Sequence, residues 1–399
     1  MSNAALAHRT GIRWHQRAGV WIGIGVGPGT FTVGGALAAN LPLRSLLILI
    51  PLGALVLGGV TVAQAAVSRR RRERSNERAV STFGNNIGSI FFNLVVALGA
   101  VGFVGFYVGL AGFAAATLLN LPGPVGALLV AVGLFVVNSA GLDRWNSLVW
   151  LTAISTVVVT LFTFYSLGTA WAPDRTSSVD IGSVLWAMIS IVNYGLFFAL
   201  RSGDFSWDLD SDSEVVKAGL SLCLPLVIFL FIGALVYRAA GDYNIADILS
   251  QSHSPWLGNL FLIISVIAPV MSGFHSGGLA IPTFLPLGKR GSAILIAATG
   301  FVFGALRFDR ALLLFLDLLG AFIAPALVVM LLMVWLRNRP SRAAALAAWL
   351  VGSAAALLSK WQGELSPVLV GAGVSILVLV ISIGWTRVTT RTIQTEGQE

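Results

Sequence analysis

Apolar stretches of membrane-spanning length alternate with short polar connections along the whole chain. A helix of about 20 apolar residues crosses the hydrocarbon core of a bilayer. The pattern therefore predicts an all-α integral membrane protein with about twelve transmembrane helices. Their predicted bounds are residues 19–43, 45–67, 87–116, 123–141, 147–170, 181–200, 215–239, 257–284, 291–306, 311–336, 343–359 and 366–386.

Two of these spans contain sequences that interrupt a helix. The first holds the glycine-proline run Gly23–Gly29, and the sixth holds Asn193–Gly195. Unwound backbone at membrane depth is tolerated only where it lines a cavity or is buried in protein. Interruptions at corresponding positions in the two halves of a chain are typical of the central site of a secondary transporter. We expect both helices to be broken and both breaks to face that site.

The composition and the distribution of charge agree with a membrane protein. Hydrophobic residues make up 56% of the chain and charged residues 11%, and the spans leave no room for a soluble domain. If both termini are cytoplasmic, 19 of the 25 basic residues fall on the cytoplasmic side and 6 on the other. By the positive-inside rule we expect a multi-pass protein of the cell inner membrane with both termini in the cytoplasm. The basic excess is then a signal of topology and not of nucleic-acid binding.

The spans divide into two sets of five with two more at the end. The predicted organisation is a cytoplasmic segment 1–18, a first five-helix repeat 19–170, a second, inverted repeat 181–336, two additional helices 343–386 and a cytoplasmic tail 387–399.

The chain has no sequence signature of an enzyme. It contains no nucleophile elbow, no phosphate-binding loop and no His/Glu pair at metal-ligand spacing, and its four histidines are scattered. We therefore predict a protein that is not an enzyme and needs neither cofactor nor metal. Its expected partners are the lipid bilayer and a small molecule; nothing in the sequence calls for an obligatory protein partner.

Short motifs follow one another in order along nearly the whole chain. They are Gly34–Leu37, Thr82–Gly84, Gly102–Tyr107, Gly203–Phe205, Ser276–Leu279 and Ile323–Pro325, the last followed by Arg337–Arg339. In order and spacing the chain resembles the nucleobase–cation symporters (purine/cytosine permeases), as a divergent member of the cytosine-permease branch. The resemblance implies a five-plus-five inverted-repeat (LeuT-type) fold with helices one and six broken and two extra C-terminal helices.

The resemblance also implies a substrate site between spans one, three, six and eight. Family members carry nucleobases, hydantoins or related heterocycles together with sodium or protons. The substrate-binding candidates carried over by position are Gly27, Gly29, Thr30, Phe103, Tyr107, Asn193, Tyr194, Gly195, Met271 and Ser272, with Phe197 and Met271 expected to narrow the cavity.

The chain departs from the family at two informative places. Family members stack a flat ring between aromatic residues of spans three and six; Phe103 matches the first, but the second position falls on Gly195. On span eight, Ala268 and Pro269 stand where the family places sodium-binding hydroxyls. Ser272 is a substitute ligand only if the register differs by a helical turn. We therefore favour a proton over sodium as the coupling cation.

Four ionisable residues at or near membrane depth are functional candidates because charge there is costly. His275 and Asp317 are candidates for proton coupling, with a structural hydrogen-bonding role as the alternative for each. Arg201 and Asp204 are three residues apart and can pair on one helical face. That pair is predicted to be either a gate or an anchor at the membrane interface.

The sequence thus favours a secondary active transporter (permease) that carries a small planar heterocycle, of the nucleobase or pyrimidine-precursor type, by alternating access. Two alternatives remain open at this stage. One is a binding or sensing protein on the same scaffold that has lost coupled transport, which the apolar eighth span would suit. The other is a transporter of an unrelated small solute.

Overall fold

A computed structural model describes residues 11–139, 145–167, 179–250, 255–336, 340–362 and 366–396. Within these ranges the regular structure is helical, with only an isolated bridge between Ile12 and Leu209. The α-helices are α1 Ala18–Gly25, α2 Pro28–Asn40, α3 Leu43–Arg71, α4 Ser75–Phe83, α5 Ile87–Leu119, α6 Gly123–Ser139, α7 Trp145–Leu167, α8 Ile181–Arg201, α9 Asp212–Ala240, α10 Ile245–Ser250, α11 Pro255–Ser265, α12 Ile267–Ala280, α13 Lys289–Ala305, α14 Leu312–Trp335, α15 Arg342–Gln362 and α16 Pro367–Glu396.

The helices lie where the hydropathy pattern predicts the spans. Over the described ranges, nine helical segments are long and apolar enough to cross a membrane, and two shorter apolar helices cover Gly123–Ser139 and Leu148–Thr163. The predicted ninth span is the 17-residue helix Lys289–Ala305. The motif Arg337–Arg339 and parts of both predicted cytoplasmic ends lie outside the described residues.

The first span is broken, as the glycine-proline run predicts. Helix α1 ends at Gly25, Gly27 is extended (φ −63°, ψ 149°), and α2 begins with Pro28 at its first position. Proline suits that position because its ring presets φ and it has no N–H to leave unpaired. The Thr30 hydroxyl donates to the Gly27 carbonyl oxygen at 2.6 Å. The break is therefore a fixed structural feature, stabilised within the chain itself.

The predicted break of the sixth span at Asn193–Gly195 is wrong. Helix α8 runs without interruption from Ile181 to Arg201 and is followed by a single 3-10 turn, Ser202–Phe205. One glycine costs a helix only about 1 kcal/mol, and no proline is present to remove a hydrogen bond. A Cβ on Gly195 would collide with the side chain of Leu57. This glycine therefore serves the close approach of α3 to α8 and does not unwind the helix.

The start of α8 is capped from outside the membrane-spanning segment. The Asp180 carboxylate accepts a hydrogen bond from the Ser183 backbone N–H at 2.7 Å. This bond favours the charged form and holds the pKa of Asp180 below its usual value.

Small residues allow the helices of the bundle to approach closely. A Cβ on Gly34 would meet the Leu230 backbone, and one on Gly233 would meet the Phe31 backbone. These contacts pack α2 against α9, in the manner usual for membrane helices. Helix α5 is buried along most of its length and contacts α6, α11, α12 and α13. The last two helices, α15 and α16, pack on each other and on α14.

Candidate functional site

A small cavity lies beside the break in the first span. It is lined by Ile24, Phe103, Tyr107, Tyr194, Phe197, Phe198, Pro269, Ser272 and Gly273. These residues come from spans one, three, six and eight, the four spans that the family resemblance implies. The volume of the cavity is about 20 Å³, which is room for about one or two waters. The cavity therefore has to widen before it can hold a larger ligand.

Each helix presents residues three or four positions apart to the cavity. Span three contributes Phe103 and Tyr107, and span six contributes Tyr194 with Phe197 and Phe198. This spacing is one face of a continuous α-helix. Ile24, Phe198 and Gly273 are lining residues that the sequence analysis missed. Helical periodicity counted from Tyr194 would have found Phe198 if span six had been treated as unbroken.

Two buried tyrosines brace the broken helix. The hydroxyl oxygens of Tyr107 and Tyr194 are 3.4 Å apart. The Tyr194 hydroxyl also donates to the carbonyl oxygen of Ile24 at 3.2 Å. A carbonyl in the last turn of α1 thus receives a side-chain donor in place of a missing helical one.

The glycines of the break make room for these rings. A Cβ on Gly27 would lie 3.0 Å from the Tyr107 hydroxyl, and one on Gly29 would lie 2.9 Å from Cε2 of Tyr194. Both glycines therefore border the tyrosine pair without lining the cavity themselves. The Thr30 side chain is fully buried and turned to the Gly27 carbonyl. Its hydroxyl therefore stabilises the break and does not face the cavity.

A pair of stacked phenylalanines forms one wall of the cavity. The rings of Phe103 and Phe197 have centroids 5.4 Å apart and an interplanar angle of 29°. Phe315 packs edge-on against Phe103 at 5.5 Å. A Cβ on Gly99 would overlap the Phe197 ring, so this glycine gives the ring its place. Span six therefore supplies an aromatic partner for Phe103 after all. It is Phe197, two residues after Gly195, where the family resemblance places it.

Three residues that were predicted to contact the substrate do not line the cavity. The Asn193 amide donates to Oδ1 of Asp317 on α14 at 3.4 Å. Gly195 faces Leu57 on α3. Met271 is buried beside the cavity but is not part of its lining. Of the Asn193–Gly195 run, only Tyr194 lines the cavity.

Apolar packing occupies the position at which the family resemblance implies a sodium site. A Cβ on Gly23 would touch the methyl group of Ala268 at 3.3 Å. The Ala268 N–H donates to Oγ1 of Thr152 at 3.1 Å. Neither Ala268 nor Pro269 carries a side-chain oxygen, whereas Ser272 lines the cavity one turn further along. Among the described residues, no group of three or more His, Cys, Asp and Glu side chains is placed to hold a metal ion.

The two candidates for proton coupling lie in different parts of the bundle. His275 on α12 packs against Phe205, with ring centroids 5.4 Å apart. Asp317 on α14 forms an ion pair with Lys360 of α15. Neither residue lines the cavity.

Arg201 and Asp204 form an ion pair, as their spacing predicts, but its surroundings differ from a membrane interface. Both side chains are about 1% exposed. Asp204 Oδ1 accepts from the Ser75 N–H at 3.0 Å, and Arg201 donates to Oδ1 of Asn76 at 2.8 Å. The Asn76 amide in turn donates to the carbonyl oxygen of Leu279 at 3.3 Å. The pair is buried in protein and links the ends of spans six and eight through α4; its role as a gate or an anchor stays a prediction.

Known proteins share this fold, although none matches the chain by sequence. By sequence, no protein-family model and no curated protein matches this chain. By fold, it is similar to Mhp1, a nucleobase-cation-symport-1 family transporter, in a closed conformation with bromovinylhydantoin bound. That match has a TM-score of 0.75 and 16% identity and covers 96% of this chain and 94% of the other. The fold is that of a LeuT-type transporter.

Other transporters match over a similar length. Mhp1 in an inward-facing conformation has a TM-score of 0.73 at 14% identity, covering 98% of this chain and 95% of that one. A Na⁺-coupled sialic acid symporter in a substrate-bound outward-open state has a TM-score of 0.67 at 14% identity, with coverages of 94% and 90%. A manganese transporter of Eremococcus coleocola reaches 0.58 at 16% identity, with coverages of 95% and 94%. These neighbours are membrane transporters and not enzymes, and the fold predicted from the family resemblance is confirmed.

Proposed function

We propose that this LeuT-type protein is a secondary active transporter that carries a small planar heterocycle, of the nucleobase or pyrimidine-precursor type, by alternating access. One observation carries the proposal: the broken first span borders a cavity that is also lined by the stacked pair Phe103 and Phe197. Broken helices supply unpaired backbone groups to a polar ligand at mid-membrane depth. Aromatic rings supply flat faces for a planar ligand.

The cavity lining favours a ligand with few polar groups. Its side-chain hydroxyls are those of Tyr107, Tyr194 and Ser272, and the remaining side chains are apolar. A buried polar group without a partner costs about 1–3 kcal/mol, so a base with many donors and acceptors would be poorly satisfied. The lining has no carboxylate, imidazole or thioether group, the side chains that divalent transition metals prefer. A metal ion such as the manganese carried by one structural neighbour is therefore disfavoured as substrate.

Binding of a planar ligand requires the space around the Phe103–Phe197 pair to change. The two stacked rings leave no gap for a third ring between them. The ligand either inserts between Phe103 and Phe197 or stacks on one of them after the cavity widens. Because Phe103 belongs to α5 and Phe197 to α8, either event changes the relation between spans three and six, which alternating access also requires.

We propose protons as the coupling cation in preference to sodium. The Ala268–Pro269 sequence offers no side-chain oxygen, and Ala268 packs close to Gly23 of the broken helix. The candidate proton carriers remain His275 and Asp317. From the distribution of the basic residues we propose that the protein lies in the cell inner membrane with both termini in the cytoplasm.

The test is uptake into proteoliposomes of purified protein. Labelled nucleobases, hydantoins and pyrimidine vitamin precursors are supplied under an inward proton gradient, an inward sodium gradient or neither. We expect accumulation of at least one heterocycle under the proton gradient, collapse of that accumulation by a protonophore, and no effect of replacing sodium with choline. Sodium-driven accumulation would overturn the coupling proposal, and absence of uptake and of exchange for every heterocycle would overturn the proposed substrate class.

A non-transporting binding protein on the same scaffold is the second candidate. The apolar packing of Ala268 against the broken helix favours it, because a lost cation site removes one means of coupling. Heterocycle binding measured by thermal stabilisation, without uptake or exchange in the same preparation, would select this alternative.

A further inference from the structure

A second, larger recess lies outside the central site, between the first turns of α8, the start of α14 and the junction of α15 with α16. Its volume is about 660 Å³, within the range of about 300–1,000 Å³ typical of small-molecule sites. It is separate from the central cavity, with which it shares no lining residue.

An ion pair forms the polar part of the recess. Asp317 and Lys360 are paired, and their side chains are still 33% and 36% exposed. Asn193 donates to Oδ1 of Asp317 from the side of α8. The Ser366 hydroxyl, also in the lining, has no hydrogen-bond partner among the described residues. The recess therefore presents one anionic and one cationic group at the surface of the bundle, and the Ser366 hydroxyl is buried in its lining.

The surroundings of the recess are apolar and exposed. Ile181 is 80% exposed and Trp361 89% exposed, and Leu369 and Trp186 in the lining are also exposed. Tryptophan at such a position is typical of the boundary between the acyl chains and the head groups. The part of α8 in the lining, Gly182–Ser190, begins at the first turn of the span and extends about 12 Å along it at 1.5 Å per residue. The exposed tryptophans and the position at the first turn of the span favour a location of the recess near the head-group boundary.

This end of the bundle lies opposite the segment Arg69–Arg78, which holds six arginines and is called here the arginine-rich segment. The other end of α8 contacts Ser75 and Asn76 through Asp204 and Arg201. The other end of α14 contacts Arg78, whose guanidinium donates to the carbonyl oxygen of Met330. A lipid in the recess would therefore belong to the leaflet that the arginine-rich segment does not face.

We propose that the recess binds a phospholipid with an ethanolamine head group. The lipid phosphate would pair with the Lys360 ammonium, and the lipid ammonium would pair with the Asp317 carboxylate. A primary ammonium can donate N–H hydrogen bonds to a carboxylate, and charge-assisted bonds of this kind are stronger than neutral ones. A choline head group has the same charges but no N–H donor, and a glycerol head group has no cation for Asp317. The acyl chains would lie along the exposed apolar faces of α8 and α16. This binding does not depend on the substrate proposed above.

The test is lipid retention by purified protein. The protein is reconstituted in equal amounts of phosphatidylethanolamine, phosphatidylcholine and phosphatidylglycerol with identical acyl chains, delipidated in steps and analysed by native mass spectrometry. We expect ethanolamine lipid to be retained over each of the other two by about fivefold, a difference of roughly 1 kcal/mol. Asp317→Asn and Lys360→Gln should each abolish this preference, whereas Lys289→Gln, at an exposed lysine outside the recess, should keep it.

A steric variant covers the case in which breaking the ion pair unfolds the protein. Ser190→Phe places a ring in the recess and leaves Asp317 and Lys360 unchanged. It should remove the bound ethanolamine lipid. Equal retention of the three lipids by the original protein, equal retention of choline and ethanolamine lipids, or an unchanged preference in Ser190→Phe would each overturn the proposal. Because retention is measured without substrate, a failure here is distinct from a failure of the proposed transport function.

Discussion

The hydroxyl groups of Tyr107 and Tyr194 meet at 3.4 Å where the first span is broken, and only Tyr194 continues the chain of hydrogen bonds to the Ile24 carbonyl. Because of this difference, the two hydroxyl groups should contribute unequally to the free energy of unfolding. Tyr194→Phe leaves both the Tyr107 hydroxyl and the Ile24 carbonyl without this partner. Tyr107→Phe leaves the bond between Tyr194 and Ile24 intact.

We therefore expect Tyr194→Phe to lower the free energy of unfolding more than Tyr107→Phe does. An unsatisfied buried polar group costs about 1–3 kcal/mol. Thermal unfolding of the detergent-purified variants measures the difference, and Tyr165→Phe, at a tyrosine 87% exposed, is the matched control. A larger loss of stability in Tyr107→Phe would contradict the bracing role of Tyr194.

Gly29→Ala tests whether transport needs the space that Gly29 leaves for the Tyr194 ring. The added Cβ would lie 2.9 Å from Tyr194 and 3.2 Å from Phe106, so the ring or the broken helix has to shift. We expect uptake normalised to protein amount to fall about tenfold or more, which corresponds to roughly 1.4 kcal/mol. Gly278→Ala is the control because a Cβ there meets no atom within 4 Å. Equal activity of the two variants would show that the contact at Gly29 is tolerated.

Replacing either phenylalanine of the stacked pair should lower ligand affinity without unfolding the protein. Aromatic pairing contributes about 0.5–1.5 kcal/mol beyond area burial, so Phe103→Leu and Phe197→Leu should each weaken heterocycle binding about three- to tenfold. Phe231→Leu, on α9 and outside the cavity lining, should leave affinity unchanged. Isothermal titration or ligand-induced thermal stabilisation gives the affinities. Unchanged binding in both wall variants would place the ligand elsewhere.

The buried pair Arg201–Asp204 predicts a non-additive response. Removing one partner leaves the other charge buried and unpaired, at a cost of about 3–5 kcal/mol. Arg201→Met should therefore be strongly destabilising, and the double variant Arg201→Met, Asp204→Leu should regain part of the loss. Arg17→Met, which breaks the more exposed pair with Asp208, should cost less than about 1 kcal/mol. If the double variant is as unstable as the sum of both single variants, the two charges are not coupled as the structure indicates.

Several features followed from short stretches of sequence. Most spans agree with the helices to within a few residues, as for the predicted span 181–200 and the helix Ile181–Arg201, whereas the last helix runs ten residues beyond the predicted end at residue 386. The break at Gly27–Pro28 was predictable because proline and glycine act on the backbone locally. The pairing of Arg201 with Asp204 followed from their spacing on one helix.

Other features could not be read from such stretches. The break expected at Asn193–Gly195 is absent because Gly195 makes room for Leu57, a residue of another helix. The stacking partner of Phe103 was assigned two residues away from Phe197, and Lys360 could not be recognised as the partner of Asp317. Each of these depends on what lies across a helix–helix contact.

The sequence by itself determined the membrane class, the positions of the spans and the first break, because hydropathy and backbone preference are properties of neighbouring residues. The tertiary structure decided which side chains form the cavity, which charges pair between helices and which residues line the second recess. Those outcomes depend on the rotation of each helix about its axis and on the packing of residues far apart in the chain, which local pattern does not fix.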